Sequence, residues 1–353
     1  MLVSYTTLAA NPFQLGSNSS KRILSALVRL VDHHCWYVAE RRQVIAALGA
    51  IHTCSTVPLQ VALRSTRRDN SSAATMRVQT LAWLIIAVSA KPKPLDGRIA
   101  AVTGGSRGLG RAVVDELLRQ GCATVIACAR NVDSLAELEN VVAVTADVRT
   151  TEGRRAFVDA IATTGGLDIL VNNVGTNVRG PTTELDEGDY RAVLETNLDA
   201  AVFLCRDCKA MLEERSGCVV NIGSISGVCC DHTGVAYAVS KAGLDHLTRY
   251  LACEWGPCQV RVNSVDPWFI RTELTEPLLD DSDFRAAVEA RTPLRRVGEP
   301  SDVSQAVAYL CSAPYVTGQI LCVDGGLTCN GFEYQKPSSS NRENDIAGGM
   351  GGF

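Results

Sequence analysis

Arg98-Ile99-Ala100-Ala101-Val102-Thr103-Gly104-Gly105-Ser106-Arg107-Gly108-Leu109-Gly110 opens the regular part of the chain, and residues 111–119 continue it with helical spacing. The apolar run predicts a buried strand, the glycines a sharp turn, and the amphipathic stretch a helix. In that position glycines let backbone N–H groups close on a pyrophosphate, whose charge the positive end of the following helix favours. A plain tight turn is the bland alternative. The coincidence of strand, turn and helix makes Gly104, Ser106, Arg107, Gly108, Leu109 and Gly110 candidates for a dinucleotide-phosphate loop.

Outward from this loop the same grammar repeats. Short β-branched runs at 98–103, 124–129, 141–145, 169–172, 218–222, 260–265 and 319–323 alternate with amphipathic stretches near 110–119, 132–138, 152–163, 189–215, 238–254 and 301–310. Repeated βαβ units of this kind predict an α/β fold: a single Rossmann-type, doubly wound, parallel seven-stranded sheet with helices on both faces, spanning residues 94–332. Residues 1–93 form an amino-terminal extension. Residues 333–353, with their Ser-Ser-Ser and Gly-Gly-Met-Gly-Gly runs, carry too little apolar surface to fold.

The 353 residues are 46% hydrophobic and 20% charged, an ordinary globular balance. The charge is uneven: residues 1–95 hold 11 Lys and Arg against 3 Asp and Glu, and the remainder is acidic. An acidic body argues against a nucleic-acid partner. The longest apolar run, 81–88, is far shorter than the ~20 residues of a membrane helix. The acid-poor leader reads either as a plastid or mitochondrial transit peptide or as a segment that is never translated, leaving a cytoplasmic location open. On either reading residues 1 to about 90 are expected to be dispensable for folding and catalysis. The 14 cysteines are scattered in apolar runs, and the CxxC at Cys205–Cys208 has no second pair, so reduced buried thiols and no metal are expected. Asp32-His33-His34-Cys35 spells a palmitoylating motif without the membrane spans that chemistry accompanies, and is read as coincidence.

Two further patterns carry chemistry. After the second strand, where an acid would bind a ribose 2′-hydroxyl, the chain has Ala129-Arg130-Asn131; Arg130 and Arg107 could clamp a 2′-phosphate, which favours NADP(H). Asp147 and Val148, after the third strand, are placed to meet an adenine. Tyr237 and Lys241, four residues apart, share a helix face, and a cation beside a phenol makes it a better proton donor and acceptor. Ser224 lies thirteen residues upstream at a strand end, where its hydroxyl could bind a carbonyl; Asn173 and Gly175 follow the fourth strand, and Asn197 sits in Glu195-Thr-Asn-Leu.

These residues in this order resemble the short-chain dehydrogenase/reductase family over about residues 94–332. The resemblance implies a tetrad. Asn197 would hold a water and the active-site helix, Ser224 would orient the carbonyl, and Tyr237 would be the general acid. Lys241 would bind the nicotinamide ribose and lower the tyrosine pKa, with Tyr237 also beside the cofactor. Val265-Asp-Pro-Trp-Phe-Ile-Arg-Thr272, Arg296-Val-Gly-Glu-Pro300 and Val323-Asp-Gly-Gly-Leu-Thr-Cys-Asn-Gly-Phe332 are similar to the plant tropinone-reductase-like branch. That pattern implies cofactor contacts from Pro267, Ile270 and Thr272. The chain departs from it twice: Cys311-Ser-Ala-Pro-Tyr315 is about two residues short, and Asp266 stands where a small residue is usual.

For the substrate, the segment 228–233 with Cys229, Cys230 and His232, together with Trp268 and Phe269, predicts a largely apolar pocket under a mobile lid at 273–291. A small cyclic or apolar ketone, reduced to a secondary alcohol, suits it. A 3-oxoacyl-carrier-protein reductase, docking its carrier on Arg291, Arg295 and Arg296, is the alternative within the class, and a non-catalytic dinucleotide sensor or scaffold the alternative outside it. The family implies a homodimer or homotetramer, and Val202, Leu204, Leu244, Leu247 and Leu251 are more apolar surface than one helix face needs.

Overall fold

A computed structural model describes residues 93–331. The leader with its 32–35 motif and its 81–88 apolar run, and the tail from Phe332, lie outside the described residues. Seven strands, β1 (Ile99–Thr103), β2 (Thr124–Ala129), β3 (Val141–Thr145), β4 (Ile169–Asn172), β5 (Cys218–Ile222), β6 (Arg261–Pro267) and β7 (Ile320–Val323), form one sheet in the order β3-β2-β1-β4-β5-β6-β7. Every pairing is parallel. The expected doubly wound α/β fold is therefore observed. Strand order reverses between β1 and β4, the place where such sheets open a crevice at their carboxyl edge.

The strands were legible as unbroken apolar runs because the central ones are covered on both faces: β4 and β5 are buried at every position. Alternation then sorts side chains by face. Ala100 and Val102 join Val113, Leu117, Val303 and Val307 on the side of α1 (Gly108–Arg119) and α8 (Pro300–Ser312). Ala101 points the other way, to Phe157 of α2 (Thr151–Ala162), Leu204 and Leu212 of α4 (Ala200–Glu214), and Leu251 and Trp255 of α5 (Val235–Trp255).

Three expectations need correction, and a fourth gains detail. The helix expected at 189–215 is α3 (Glu187–Leu194), one π turn (Glu195–Asp199) and then α4, so the ladder is widened where Asn197 sits. The helix expected at 132–138 is a single 3₁₀ turn, Asp133–Leu135, because the Asn131 side chain accepts from Asp133 N at 2.9 Å and sets a local turn instead. The segment expected as a lid, 273–291, carries α6 (Glu276–Leu279) and α7 (Ser282–Arg291) over a small core of Phe269, Leu279, Val288 and Val297. Finally, β6 runs on to Pro267, which carries Asp266 into the sheet at 0% exposure.

The segment 311–315 is bracketed by hydrogen bonds from Arg261. This side chain, on β6, donates to the carbonyls of Leu310 at 2.7 Å, Cys311 at 2.8 Å and Val316 at 3.1 Å, gathering the end of α8 and the return to β7 around one guanidinium. Charged hydrogen bonds of this kind are worth about 1.5–3 kcal/mol each before any overlap, and the freed carbonyls would be partly buried. Arg261→Met, which keeps the aliphatic stem, is expected to lower unfolding free energy by roughly 2–4 kcal/mol in urea denaturation; an unchanged midpoint would mean that water replaces the guanidinium.

Candidate active site

The carboxyl ends of the strands surround a cleft of about 780 Å³ that runs from the glycine loop to Tyr237 and Trp268. Its floor at the switch point is a hydrogen-bonded splice. Thr103 Oγ1 accepts from Asn173 N at 2.9 Å and Val174 N at 3.1 Å, and Asn173 Nδ2 returns to the carbonyls of Thr103 at 2.8 Å and Gly104 at 3.3 Å. The loop is thereby fixed in a shape that needs its glycines. Gly104 has φ 66° and Gly108 φ 54°. At Gly110 an added Cβ would stand 2.0 Å from the Gly104 carbonyl oxygen. Helix α1 starts at Gly108 with no side-chain cap and no acid in its first turn, leaving its leading N–H groups facing the cleft without a competing anion.

Around this loop Ser106, Leu109, Arg130, Asp147, Val148, Gly175, Pro267, Ile270 and Thr272 all line the cleft, so the expected cofactor residues are brought together in one place. The two expected phosphate-reading arginines differ. Arg107 is paired with Glu273, Nη1 to Oε2 2.9 Å, with both side chains largely exposed; Arg130 is exposed and makes no ion pair among the described residues. Sequence reasoning missed Arg149, which lines the cleft and grips Asp147 at 2.6 Å. The Arg149 guanidinium holds the Asp147 carboxyl below its usual range. Nothing in the spacing marks Arg149, because its partner is two residues away in the same turn.

At the inner end, Lys241 Nζ donates to the Ile222 carbonyl at 2.8 Å and stands 5.5 Å from the centroid of the Tyr237 ring. Lys241 is 3% exposed, and burial pushes its ammonium down to about 8 against the upward pull of Asp266 and Asp245. Burial pushes the Tyr237 phenol up, and the Ser224 hydroxyl beside it acts in the opposite sense. Ser224 Oγ lies 3.1 Å from Ser226 Oγ, which in turn donates to Asp231, a network the sequence did not disclose. Asn197 is buried outside the cleft lining. From the π turn its Nδ2 donates to Thr176 O at 2.9 Å and Ser240 Oγ at 3.0 Å, and its Oδ1 accepts from Thr176 N at 2.8 Å. It braces the strand-four loop against α5.

The substrate side differs more from expectation. Trp268 lines the cleft with its indole N–H buried and without a partner among the described residues, and packs edge-on against Phe269 at 4.6 Å between centroids. His232 is exposed at φ 58°, and neither it nor Cys229 and Cys230, also exposed, lines the cleft. Phe269 belongs to the lid core. Arg296 of the suggested carrier-docking trio is bound to Asp302 at 2.7 Å, which takes its charge out of a free basic patch. Cys205 and Cys208 are free, buried thiols, Cys205 pushed up to about 12 by desolvation. Among the described residues no helix is long and apolar enough to cross a membrane.

Comparison with known proteins agrees with this geometry. Residues 104–328 match the family model described as enoyl-(acyl carrier protein) reductase. A tropinone reductase homolog of Arabidopsis thaliana is 43% identical over 253 residues, covering 68% of this chain and 96% of its own. A second one from the same plant, described as chloroplastic, is 40% identical over 282 residues, 75% of this chain and 86% of its own. The crystal structure of a gluconate 5-dehydrogenase from Burkholderia cenocepacia in complex with NADP and tartrate superposes with a TM-score of 0.64 at 30% identity, over 67% of this chain and 98% of that one. Fold, glycine loop and tropinone-reductase-type relatives together establish that the chain belongs to the short-chain dehydrogenase/reductase family of nicotinamide-dependent oxidoreductases, in its plant tropinone-reductase-like branch.

Proposed function

We propose that this oxidoreductase uses NADPH to reduce a small, apolar, cyclic ketone to a secondary alcohol. One observation carries the reading: a single cleft has the glycine loop at one end and Tyr237, Lys241 and Ser224 at the other. The cradle suits a dinucleotide, because the glycine loop lines the cleft and α1 offers uncapped N–H groups beside it. Gly104, Ser106, Gly108 and Leu109 would hold the phosphates, Val148 and Asp147 the adenine, and Ile270 and Thr272 the nicotinamide end. The cofactor, when bound, supplies the hydride.

The protein's own part is proton and carbonyl management. Ser224 donates a hydrogen bond to the carbonyl oxygen, Tyr237 transfers its phenolic proton to that oxygen as charge develops there, and Lys241 holds the positive charge that steadies the phenolate left behind. Asn197 fixes the loop and helix that carry these groups. Trp268 walls the substrate side, and its indole N–H, without a partner among the described residues, is a donor for a substrate polar atom. Arg130 supports NADPH over NADH: the end of β2 carries no acid, and its guanidinium makes no ion pair among the described residues, unlike that of Arg107.

Purified protein assayed with NADPH against cyclic ketones, diketones and a β-ketoacyl thioester tests the reading; no turnover on any would overturn it. In that assay Tyr237→Phe is expected to lose at least about a hundredfold in kcat while cofactor still binds, and retention of most of kcat would remove Tyr237 from the proton step. Arg130→Asp is expected to weaken NADPH binding by about tenfold or more, roughly 1.4 kcal/mol, and to shift preference toward NADH. An unchanged preference would assign the 2′-phosphate to another group.

We also propose a homo-oligomer joined through α4 and α5. The apolar surplus is smaller than the sequence suggested, since Leu204, Leu244 and Leu251 belong to the core; Val202 and Leu247 remain only partly buried. Light scattering at micromolar concentration is expected to give a multiple of 37.7 kDa, and a monomeric mass would refute the assembly.

A further inference from the structure

Asp266, the residue that departs from the family pattern, has a partner. Asp266 on β6 and Asp245 on α5, one helical turn beyond Lys241, are 0% and 2% exposed, and the two carboxyls act on each other electrostatically. Ser264 Oγ donates to Asp266 Oδ1 at 2.6 Å. Asp266 Oδ2 and Asp245 Oδ1 are buried and accept from no donor among the described residues. The backbone makes room for both acids: an added Cβ at Gly223 would stand 2.1 Å from Asp266 Oδ1, and one at Gly227 2.9 Å from Asp245 Oδ2. The charges of both acids act on Lys241.

Two constraints fix the charge of the pair. Two carboxylates in contact away from water do not both ionise, because their repulsion is unscreened. Two neutral acids would leave the buried ammonium of Lys241 without a counter-charge, which costs several kcal/mol. One proton held between the otherwise unpartnered oxygens meets both conditions. We propose that Asp245 and Asp266 are positioning residues, a proton-sharing pair whose single negative charge keeps Lys241 an ammonium at the base of the site.

The surrounding groups leave that charge directed at the lysine. On α5 the pair faces Lys241, with Arg249 acting on Asp245 and Tyr237 farther along. Cys322 sits beside Asp266 in register on β7, followed by Asp324, and Asp231 approaches Tyr237 from the loop before α5. From β5 and its end, Ile222 and Gly223 bring no titratable side chain. Burial and Asp245 push Asp266 up to about 8, the region to which burial brings Lys241, so the two titrations are linked.

The inference rests on Lys241 being a site residue, and its test needs no substrate, so it fails or stands separately from the ketone-reductase reading. Lysine is scarce, at Lys21, Lys91, Lys93, Lys209, Lys241 and Lys336, which allows the Lys241 resonance to be followed by NMR in full-length protein carrying ¹³C-lysine and assigned by its loss in Lys241→Arg. Asp245→Asn and Asp266→Asn each retain one carboxylate, and each is expected to shift the Lys241 pKa by less than about half a unit; the double variant removes the last charge and is expected to lower it by about one unit or more. Should Asp266→Asn not fold, Asp266→Ser takes its place. An unmoved Lys241 in the double variant, or singles that add up to the double, overturns the proposal.

Melting temperature against pH reads the shared proton itself. The native pair keeps a proton up to about 8 that an unfolded carboxyl releases near 3.9, so the pair's contribution to stability falls as pH rises through that window. Either single variant lacks this loss, and its melting temperature relative to wild type is expected to climb from about pH 5 to about pH 8. A difference that stays flat across that range also overturns the proposal.

Discussion

The splice between Thr103 and Asn173 is the interaction on which the site depends. A parallel sheet delivers β1 and β4 side by side, but it leaves their carboxyl ends as two loops departing in different directions. One hydroxyl accepting from two successive N–H groups, with an amide returning to two carbonyls, turns these loops into one surface. Gly110 can then lie against Gly104, and Gly175 continues from the same loop toward Asn197 and Lys241. From Asn197 the bracing passes through Ser240 to α5. Asn197 and Lys241 are therefore held by buried side chains and backbone rather than by an exposed loop.

Lys241 is where that rigidity meets an electrostatic difficulty. An ammonium at 3% exposure loses most of its hydration, and one carbonyl hydrogen bond, to Ile222, does not replace it. A carboxyl pair in the next layer supplies the missing opposite charge without approaching the cleft. This arrangement also accounts for two glycines outside the phosphate loop: Gly223 leaves room for Asp266 and Gly227 for Asp245.

Sheet and glycine loop were legible because each is written in adjacent residues: strands buried on both faces must be apolar throughout, and a turn against a phosphate must lack side chains. Tyr237, Lys241, Ser224 and Asn197 were legible by spacing and family likeness. What stayed hidden depends on contacts between distant residues or on backbone detail. The π turn at Glu195–Asp199 leaves no compositional mark on a stretch that looks evenly helical. Asp245 and Asp266 lie on a helix and a strand that meet only in the folded sheet, so the oddity at Asp266 was visible but its partner was not. Arg149 pairs so locally that it looks like any loop arginine. His232, Cys229 and Cys230 show the reverse error: position between two site residues in sequence did not bring them into the cleft.

The exposed pair of Arg107 and Glu273 joins the glycine loop to the segment leading into the lid helices. Between solvent-exposed side chains such a pair is worth about 0.2–1 kcal/mol, and less as salt rises. On the thermal scale that is an equilibrium ratio of roughly 1.4 to 5. The mouth of the cleft is thus crossed by a tie that thermal motion breaks and remakes continually, a filter on ionic strength more than a gate. What holds a bound dinucleotide for the length of a turnover is then left to the rest of the cleft, from the glycine loop to Arg130.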